Sequence, residues 1–224
     1  MDYLLVWDID GTLIQGKGIG RRAMTKAFKD LFQIDDALKD IEMAGRLDSL
    51  IVKDAFKLHK INMDNSIFFE RYLECLDEEI KILDKPIEAP GIVKLLEILE
   101  KKNNFYCALG TGNIEKGARK KLEIASMNTF FPTGGFGDNE MERWQVIENS
   151  VINSKKCYNK DFSTESIYVI GDTPRDVNCG RKLNFKTIGV ATGIFSVQDL
   201  KEAGADYVFH NFLDTDSFFR IFTA

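Results

Sequence analysis

The sequence is poor in the residues on which several common catalytic sites depend. Only two histidines, His59 and His210, occur among its 224 residues, so a histidine-based catalytic triad or a zinc site is not expected. The four cysteines lie far apart and form no paired motif, so we expect buried free thiols in a reducing cytoplasm. We expect no signal peptide, and no apolar run is long enough to span a bilayer.

The chain also lacks an excess of positive charge. Its formal net charge is -5, which gives no electrostatic basis for binding nucleic acid or an anionic membrane. An anionic ligand would therefore have to meet local positive charge or a bound metal ion. Hydrophobic residues make up 44% of the chain and charged residues 29%. These proportions are typical of a globular protein, and the length allows one large domain or a core with a smaller module.

Two aspartates follow the first apolar run of the chain. The segment Tyr3-Leu4-Leu5-Val6-Trp7 predicts a strand buried on both faces, and Asp8-Ile9-Asp10-Gly11-Thr12-Leu13 comes directly after it. Ligands of parallel sheets bind beyond the carboxyl ends of the strands, and Gly11 permits a sharp turn that lets both acids face one volume. Two crowded carboxylates repel each other, and a cation relieves the repulsion. The alternative is an ordinary turn built from Asp and Gly.

Helical and strand patterns divide the rest of the chain into an inserted helical segment and an alternating core. Residues 15–86 have apolar residues at helical spacing, most clearly Phe69, Leu73, Leu76, Ile80 and Leu83, with a more mixed stripe at Leu50, Asp54 and Leu58. From residue 87 onward helices alternate with short apolar strands, which favours a parallel sheet with right-handed crossovers. We therefore predict an α/β fold. A three-layer, Rossmann-like parallel sheet core comprises residues 1–14 and 87–224, and an α-helical cap is inserted at 15–86.

Three predicted strand ends carry polar clusters. Asp8 and Asp10 follow the first strand, Thr111 and Asn113 follow the second, and Asp172 and Asp176 follow a later one. Because the carboxyl ends of parallel strands lie at one edge of the sheet, we expect these clusters to converge. Taken singly, Thr111 and Asp172 could be helix caps, and Asp176 could be a solvated acid at a helix start.

Together these clusters resemble the motifs of a known family. Asp8-Ile9-Asp10-Gly11-Thr12-Leu13, Gly110-Thr111-Gly112 and Gly171-Asp172-Thr173-Pro174-Arg175-Asp176 are similar to motifs one, two and four of the haloacid dehalogenase-like hydrolases. The inserted helical segment resembles the cap of that family, most closely in the branch of phosphoglycolate phosphatases and β-phosphoglucomutases. The resemblance implies a Mg2+-dependent phosphatase that acts on a small phosphorylated metabolite.

The resemblance also implies a role for each motif residue. Asp8 would be the nucleophile that forms an aspartyl-phosphate, and Asp10 would protonate the leaving oxygen and later activate water. Mg2+ would be held by the carboxylates of Asp8 and Asp172 and by the backbone carbonyl of Asp10, with Asp176 acting on the ion through water. We expect the hydroxyl of Thr111 and the amide of Gly112 to bind a phosphoryl oxygen.

The sequence departs from the family pattern at motif three, where a lysine usually binds both the nucleophile and the phosphate. The corresponding segment has no lysine, and Arg143 is our candidate for this role because a guanidinium stays charged and binds phosphate with a planar fork. Lys116 and Arg119, on the helix after motif two, are the alternatives. Arg143 could instead be an exposed residue paired with Glu140 or Glu142.

The predicted cap offers one further candidate for substrate binding. The loop from Ala44 to Ser49 resembles the cap loop that reaches the active site in this branch, so Arg46 could bind an anionic group of the substrate. A solvated arginine near a helix start is the alternative.

Three other functions compete with the phosphatase. A sugar phosphomutase of the same family needs an aspartyl-phosphate that outlives the exchange of substrate, and the sequence does not distinguish it. A phosphate-binding regulatory protein without turnover is disfavoured, because an idle site has no reason to keep repelling acids. A dehalogenase is disfavoured because such enzymes need no metal and lack an acid equivalent to Asp10. The oligomeric state stays open.

Overall fold

A computed structural model describes residues 1–16, 18–83, 87–138 and 142–222 of the chain. In chain order its elements are β1 (Tyr3–Trp7), α1 (Ile19–Phe32), α2 (Asp48–Leu58), α3 (Asn65–Lys81), α4 (Ile92–Glu100), β2 (Phe105–Gly110), α5 (Glu115–Ile124), β3 (Gly134–Gly135), α6 (Arg143–Tyr158), β4 (Ile167–Gly171), α7 (Pro174–Lys182), β5 (Lys186–Val190), α8 (Val197–Glu202), β6 (Tyr207–Phe209) and α9 (Thr215–Arg220). Short 3-10 turns span Asn128–Phe130 and Thr164–Ser166.

The strands form one parallel sheet in the order β3-β2-β1-β4-β5-β6. β1 lies between β2 and β4, with Leu5 opposite Cys107 on one side and Val6 opposite Val169 on the other. The strand order reverses between β1 and β4, and in open α/β sheets the ligand crevice lies at such a reversal, beyond the carboxyl ends of the strands. The predicted α/β fold with a parallel sheet is confirmed.

Helices cover both faces of this sheet. Leu5 and Trp7 of β1 pack in a cluster with α4, α5 and α9, whereas Leu4 and Val6 pack in a second cluster with α6 and α7. All four side chains are fully buried, because neighbouring residues of a strand point to opposite faces and both faces are covered. This burial explains why the strand is an unbroken apolar run.

Helices α1, α2 and α3 bury their apolar residues in a third hydrophobic cluster, to which the β2–α5 loop adds Ile114. It is built around Phe28, Phe56 and Phe68, and the rings of Phe28 and Phe68 lie 4.5 Å apart. A separate cluster is what a module inserted behind β1 requires, since each helix must bury its apolar stripe against another element. The division into core and cap stays a prediction, and its boundary at residues 84–86 lies outside the described residues.

The buried faces of α2 and α3 differ from the predicted stripes. Leu58 of α2 is 54% exposed. The buried apolar residues are instead Ile51, Val52, Ala55 and Phe56 in α2, and Phe68, Tyr72, Cys75 and Leu76 in α3. The predicted Phe69, Leu73 and Ile80 are only partly buried. Helix α3 carries apolar residues on two adjacent stripes, and its packing against α1 decides which stripe is covered.

One cysteine also departs from the expectation. Cys75, Cys107 and Cys179 are buried free thiols as predicted, but Cys157 near the end of α6 is exposed. Across the described parts of the chain, no helix is long and apolar enough to cross a membrane.

Candidate active site

Three carboxylates meet at the carboxyl edge of the sheet. Asp8 follows β1, Asp172 follows β4, and Asp176 lies in the first turn of α7. Each offers an oxygen within 4.8 Å of the others, and all three residues are buried, with exposures of 6%, 4% and 1%. The backbone of Asp8 is fixed by a hydrogen bond of 2.9 Å from its amide to the carbonyl of Ile170.

Two glycines allow the chain to enclose Asp172. A Cβ on Gly11 would lie 2.2 Å from Oδ2 of Asp172, and a Cβ on Gly193 would lie 1.7 Å from the same atom. Gly11 also has a φ of +86°, which L side chains rarely adopt. The turn after β1 therefore needs glycine for two reasons, its backbone conformation and its close approach to Asp172.

Arg143 joins the acidic cluster from the start of α6. Its Nη2 donates to Oδ1 of Asp8 and to Oδ1 of Asp176, both at 2.7 Å, and to the carbonyl of Gly110 at 3.3 Å. Its side chain is only 9% exposed, so it is not the exposed residue of the alternative interpretation, and Glu140 lies outside the described residues. Buried Nε of Arg143 has no hydrogen-bond partner among the described residues.

One guanidinium does not balance three buried acids. Burial and the charge of Asp176 raise the pKa of Asp8 to about 6, against the opposing effect of Arg143. Burial and the charges of Asp8 and Asp176 raise the pKa of Asp172 to about 9. The side-chain donor nearest to Asp172 is the hydroxyl of Thr12, at a long 3.4 Å. A carboxylate this poorly compensated is the environment that a bound cation would relieve.

Both carboxylate oxygens of Asp176 accept hydrogen bonds from protein groups. Its Oδ2 accepts from the amide of Thr173 at 3.2 Å and from the hydroxyl of Thr173 at 2.7 Å, in a capping box that starts α7. Its Oδ1 accepts from Arg143. Asp176 is also buried, so the alternative interpretation of it as a solvated acid is wrong. The residue that caps α7 is Thr173 rather than Asp172.

Thr111 and Gly112 lie beside the acids at the end of β2. Thr111 is fully buried, and its Oγ1 accepts from the side-chain amide of Asn113 at 2.8 Å. A Cβ on Gly112 would lie 2.7 Å from Nη1 of Arg143, so the guanidinium of Arg143 passes next to the Gly112 backbone. Thr111 does not cap α5, whose N-cap residue is Ile114.

The carboxylate of Asp10 is paired with a buried lysine. Nζ of Lys121 donates to Oδ2 of Asp10 at 2.6 Å and to Oδ1 at 2.9 Å, and the side-chain amide of Asn113 donates to Oδ2 at 2.7 Å. Burial acts to raise the pKa of Asp10, but the charge and hydrogen bond of Lys121 outweigh it, so the pKa is lowered. The carboxylate of Asp10 thus lies outside the cluster of Asp8, Asp172 and Asp176.

The helical segment closes over this site. The amide of Asp48 donates to the carbonyl of Gly112 at 2.8 Å, and its carboxylate accepts from the amide of Ile114 at 3.1 Å. A cavity of about 490 Å³ is lined by the strand-end residues and by the helical segment, including Arg46. Nη2 of Arg46 donates a hydrogen bond to Oδ2 of Asp54 at 2.5 Å.

Neither alternative basic residue reaches the cavity. Lys116 is exposed, and Arg119 donates to the carbonyl of Phe131 at 2.7 Å. Sequence reasoning instead missed Lys121 and Asp48, which both line the cavity. A signal existed for Lys121, because it lies three residues after Ala118 and one before Leu122, on the buried face of α5. A charged residue on an apolar helix face marks either a functional site or a buried ion pair.

The sequence of the chain carries the pattern of one family over most of its length. Residues 5–190 match the haloacid dehalogenase-like hydrolases. The chain belongs to that family, so the predicted recognition is confirmed, as is the prediction that the protein is a hydrolase.

Individual relatives agree with this assignment. The phosphoglycolate phosphatase of Aquifex aeolicus is 26% identical over 193 residues, which cover 82% of each chain. Among solved structures, a hydrolase from Pseudomonas syringae superimposes with a TM-score of 0.74 at 20% identity, covering 98% of this chain and 99% of that one. CbbY from Rhodobacter sphaeroides, solved in complex with phosphate, superimposes with a TM-score of 0.72 at 14% identity, covering 96% of both chains. At these identities the two structures establish the fold alone.

Proposed function

We propose that the protein is a Mg2+-dependent phosphatase that hydrolyses a small phosphomonoester through an aspartyl-phosphate on Asp8. The observation that carries this proposal is the meeting of buried Asp8, Asp172 and Arg143 at the carboxyl edge of the sheet. An anionic ester cannot approach buried carboxylates unless their charge is offset. Arg143 offsets part of it, and a divalent cation would offset the rest.

The donor set fits magnesium. Asp8 and Asp172 supply hard carboxylate oxygens, which Mg2+ prefers while it keeps several waters. With the backbone carbonyl of Asp10 they would hold the ion, and Asp176, already bound by Thr173 and Arg143, would act on it through water. When bound, the ion would neutralise negative charge on the phosphoryl group and on the attacking carboxylate.

The residues around Asp8 suit a phosphoryl group. Nε of Arg143 is a buried donor that has no partner in the described parts of the chain, and its Nη1 passes beside Gly112. These donors, with the Gly112 amide and the Thr111 hydroxyl, would hold the oxygens of the phosphoryl group. Attack by a carboxylate oxygen of Asp8 would form the acyl-phosphate as the ester P–O bond breaks.

Asp10 would act as the general acid when the ester bond breaks and as the general base when the acyl-phosphate is hydrolysed. It protonates the leaving oxygen as the ester bond breaks, and then takes a proton from the water that hydrolyses the acyl-phosphate to inorganic phosphate. Its carboxylate lines the cavity beside Asp8 and is bound by Lys121 and Asn113. A phosphate dianion arriving nearby favours the protonated form of Asp10, because like charges disfavour ionisation.

We also propose that residues 15–86 act as a cap that shields the cavity and reads the leaving group. The contacts of Asp48 with Gly112 and Ile114 hold this segment against the β2–α5 loop. Arg46 lines the same cavity and would meet an anionic substrate group by exchanging its contact with Asp54. Closure of such a segment excludes water from the reaction.

The test is turnover of p-nitrophenyl phosphate with and without EDTA. We expect activity that EDTA abolishes and Mg2+ restores, and that Asp8→Asn removes while leaving the folded state intact by circular dichroism. Full activity in Asp8→Asn would exclude Asp8 as the nucleophile. A panel of phosphoglycolate, sugar phosphates and nucleotides would then identify the substrate, with isomerised sugar phosphate as the signature of a mutase and metal-independent halide release as that of a dehalogenase.

A further inference from the structure

Lys121 is a buried cation that is paired with Asp10, the proposed acid–base residue, and not with the residues proposed to bind phosphate. It lies on α5 and is 3% exposed, on the face that carries Ala118 and Leu122 into the core. Its Nζ contacts both carboxylate oxygens of Asp10, at 2.6 and 2.9 Å. A buried ammonium is tolerated only when it is paired, and here Asp10 provides the pairing.

Lys121 also contacts Asn113. Oδ1 of Asn113 accepts from Nζ at 2.6 Å, which brings the short contacts of Nζ to three. An ammonium has three protons to donate, so these contacts account for its donor capacity. Lys121 is therefore built to hold Asp10 rather than to bind a substrate directly.

Asn113 completes the arrangement from a second direction. Its Nδ2 donates to Oδ2 of Asp10 at 2.7 Å and to Oγ1 of Thr111 at 2.8 Å. The side chain of Asp10 is 46% exposed, so packing alone does not select its rotamer. Two directional contacts fix it instead, and they tie it to the threonine proposed to bind phosphate.

The helical segment lies directly over the ammonium. A Cβ on Gly20, in the first turn of α1, would lie 3.1 Å from Nζ of Lys121. Gly20 thus leaves room for the lysine beneath α1. The contact between Lys121 and Asp10 therefore forms beneath the proposed cap.

We propose that Lys121 and Asn113 are positioning residues that hold the carboxylate of Asp10 where it can transfer a proton to the leaving oxygen. The inference rests on the proposed function, in which Asp10 protonates that oxygen. It predicts a loss that depends on the leaving group. An alkoxide needs a proton as it departs, whereas p-nitrophenolate is stable enough to leave with little help.

The experiment compares benzyl phosphate with p-nitrophenyl phosphate, two ring-bearing esters of similar size. In Lys121→Met we expect kcat/KM for benzyl phosphate to fall by about tenfold or more, and kcat/KM for p-nitrophenyl phosphate to change by less than about threefold. Lys120→Met is the matched control, since Lys120 directly precedes Lys121 in α5 and its Nζ contacts a carboxylate, Asp77, at 2.6 Å outside the cavity. It should leave both values unchanged.

Asn113→Ala provides a second, independent variant if Lys121→Met does not fold. It removes the other donor to Asp10 and should show the same selective loss. Equal losses on both esters in the folded variants, or no loss on either, would overturn the positioning role. Asp10→Asn separates this failure from failure of the proposed function. If Asp10→Asn shows the selective loss and the positioning variants do not, only this inference is wrong; if Asp10→Asn also lacks it, Asp10 is not the acid.

Discussion

The carboxylate of Asp48, at the start of α2, accepts a hydrogen bond at 3.1 Å from the backbone amide of Ile114, which precedes α5. An acid from the helical segment thus satisfies an amide at the N-terminus of a core helix, where anionic groups are favoured. The adjoining loop carries Thr111 and Gly112, so this contact couples the helical segment to the proposed phosphate site.

Asp48→Asn should make the stability of the protein less sensitive to pH. Burial raises the pKa of Asp48 from its usual 3.8 to about 7, so the folded state binds a proton that the unfolded state releases. The stability gained from this proton on Asp48 is complete below the pKa of Asp48 in the unfolded state. It is lost as the pH rises to the pKa of Asp48 in the folded state. Asn keeps the acceptor and carries no charge. In urea unfolding, wild type should therefore lose stability relative to Asp48→Asn between about pH 4 and about pH 7.

Asp138→Asn is the control for this measurement. Asp138 accepts from the next amide, that of Glu115, at 2.9 Å, but it is exposed. A difference between wild type and Asp48→Asn that stays constant with pH would show that Asp48 is ionised in the folded protein throughout this range.

Arg143→Ala should lower kcat by about a hundredfold or more, because it removes the cation that touches Asp8 and the donors that would hold the phosphoryl group. Arg143→Lys should recover part of the loss, since it keeps the charge but not the planar fork. Removing one partner of a buried ion pair also destabilises by about 3–5 kcal/mol, so the folded fraction must be measured at the assay temperature.

Arg119→Ala is the matched control for Arg143, because Arg119 donates to the carbonyl of Phe131 outside the cavity. It should keep full activity. If Arg143→Ala were as active as wild type, Arg143 would not be the basic residue of the site, and neither exposed Lys116 nor Arg119 lies where it could replace Arg143.

The strand ends could be predicted from sequence because their signals are local. The run from Leu4 to Trp7 is fully buried on both faces of the sheet, and such runs have one simple interpretation. The aspartates that follow lie at the carboxyl ends of the strands, where parallel sheets bind ligands. Once the strands are placed, the meeting of Asp8 with Asp172 follows from topology alone.

Other features depend on contacts between distant parts of the chain. Lys121 and Asp10 are 111 residues apart. No sequence spacing predicts that a residue of α5 contacts the loop after β1. In α3, Phe68 and Tyr72 are buried while Phe69 and Leu73 are only partly buried. Both pairs have helical spacing, and only the position of α1 selects between them.

Asp172→Asn should weaken metal binding more than it affects the fold. Asp172 has few protein donors, and its carboxylate is the one that a cation would chiefly compensate. We expect the Mg2+ concentration for half-maximal activity to rise at least about tenfold, and the thermal stabilisation of wild type by Mg2+ to disappear. Asp161→Asn, at a side chain that is 94% exposed, is the control. Equal Mg2+ stabilisation of wild type and Asp172→Asn would place the ion elsewhere.

Gly112 lies against the helical segment at the carboxyl edge of the sheet. A Cβ at this position would lie 2.1 Å from the carbonyl oxygen of Arg46 and 2.7 Å from Nη1 of Arg143. The first atom belongs to the backbone of the proposed cap loop and cannot move without displacing that loop. The contact is possible only because residue 112 has no side chain.

Gly112→Ala should therefore keep the α/β core folded but prevent closure of the loop that carries Arg46. We expect kcat/KM to fall by about tenfold or more, because closure excludes water and orients the substrate. Gly117→Ala is the matched control on α5: its Cβ would meet Ile114 and Tyr72 at ordinary distances of 3.4 and 3.5 Å. That change should leave kcat/KM unaltered and stabilise the helix by about 0.5–1 kcal/mol in urea unfolding. Wild-type kcat/KM in Gly112→Ala would mean that turnover does not need the contact between the loop and residue 112.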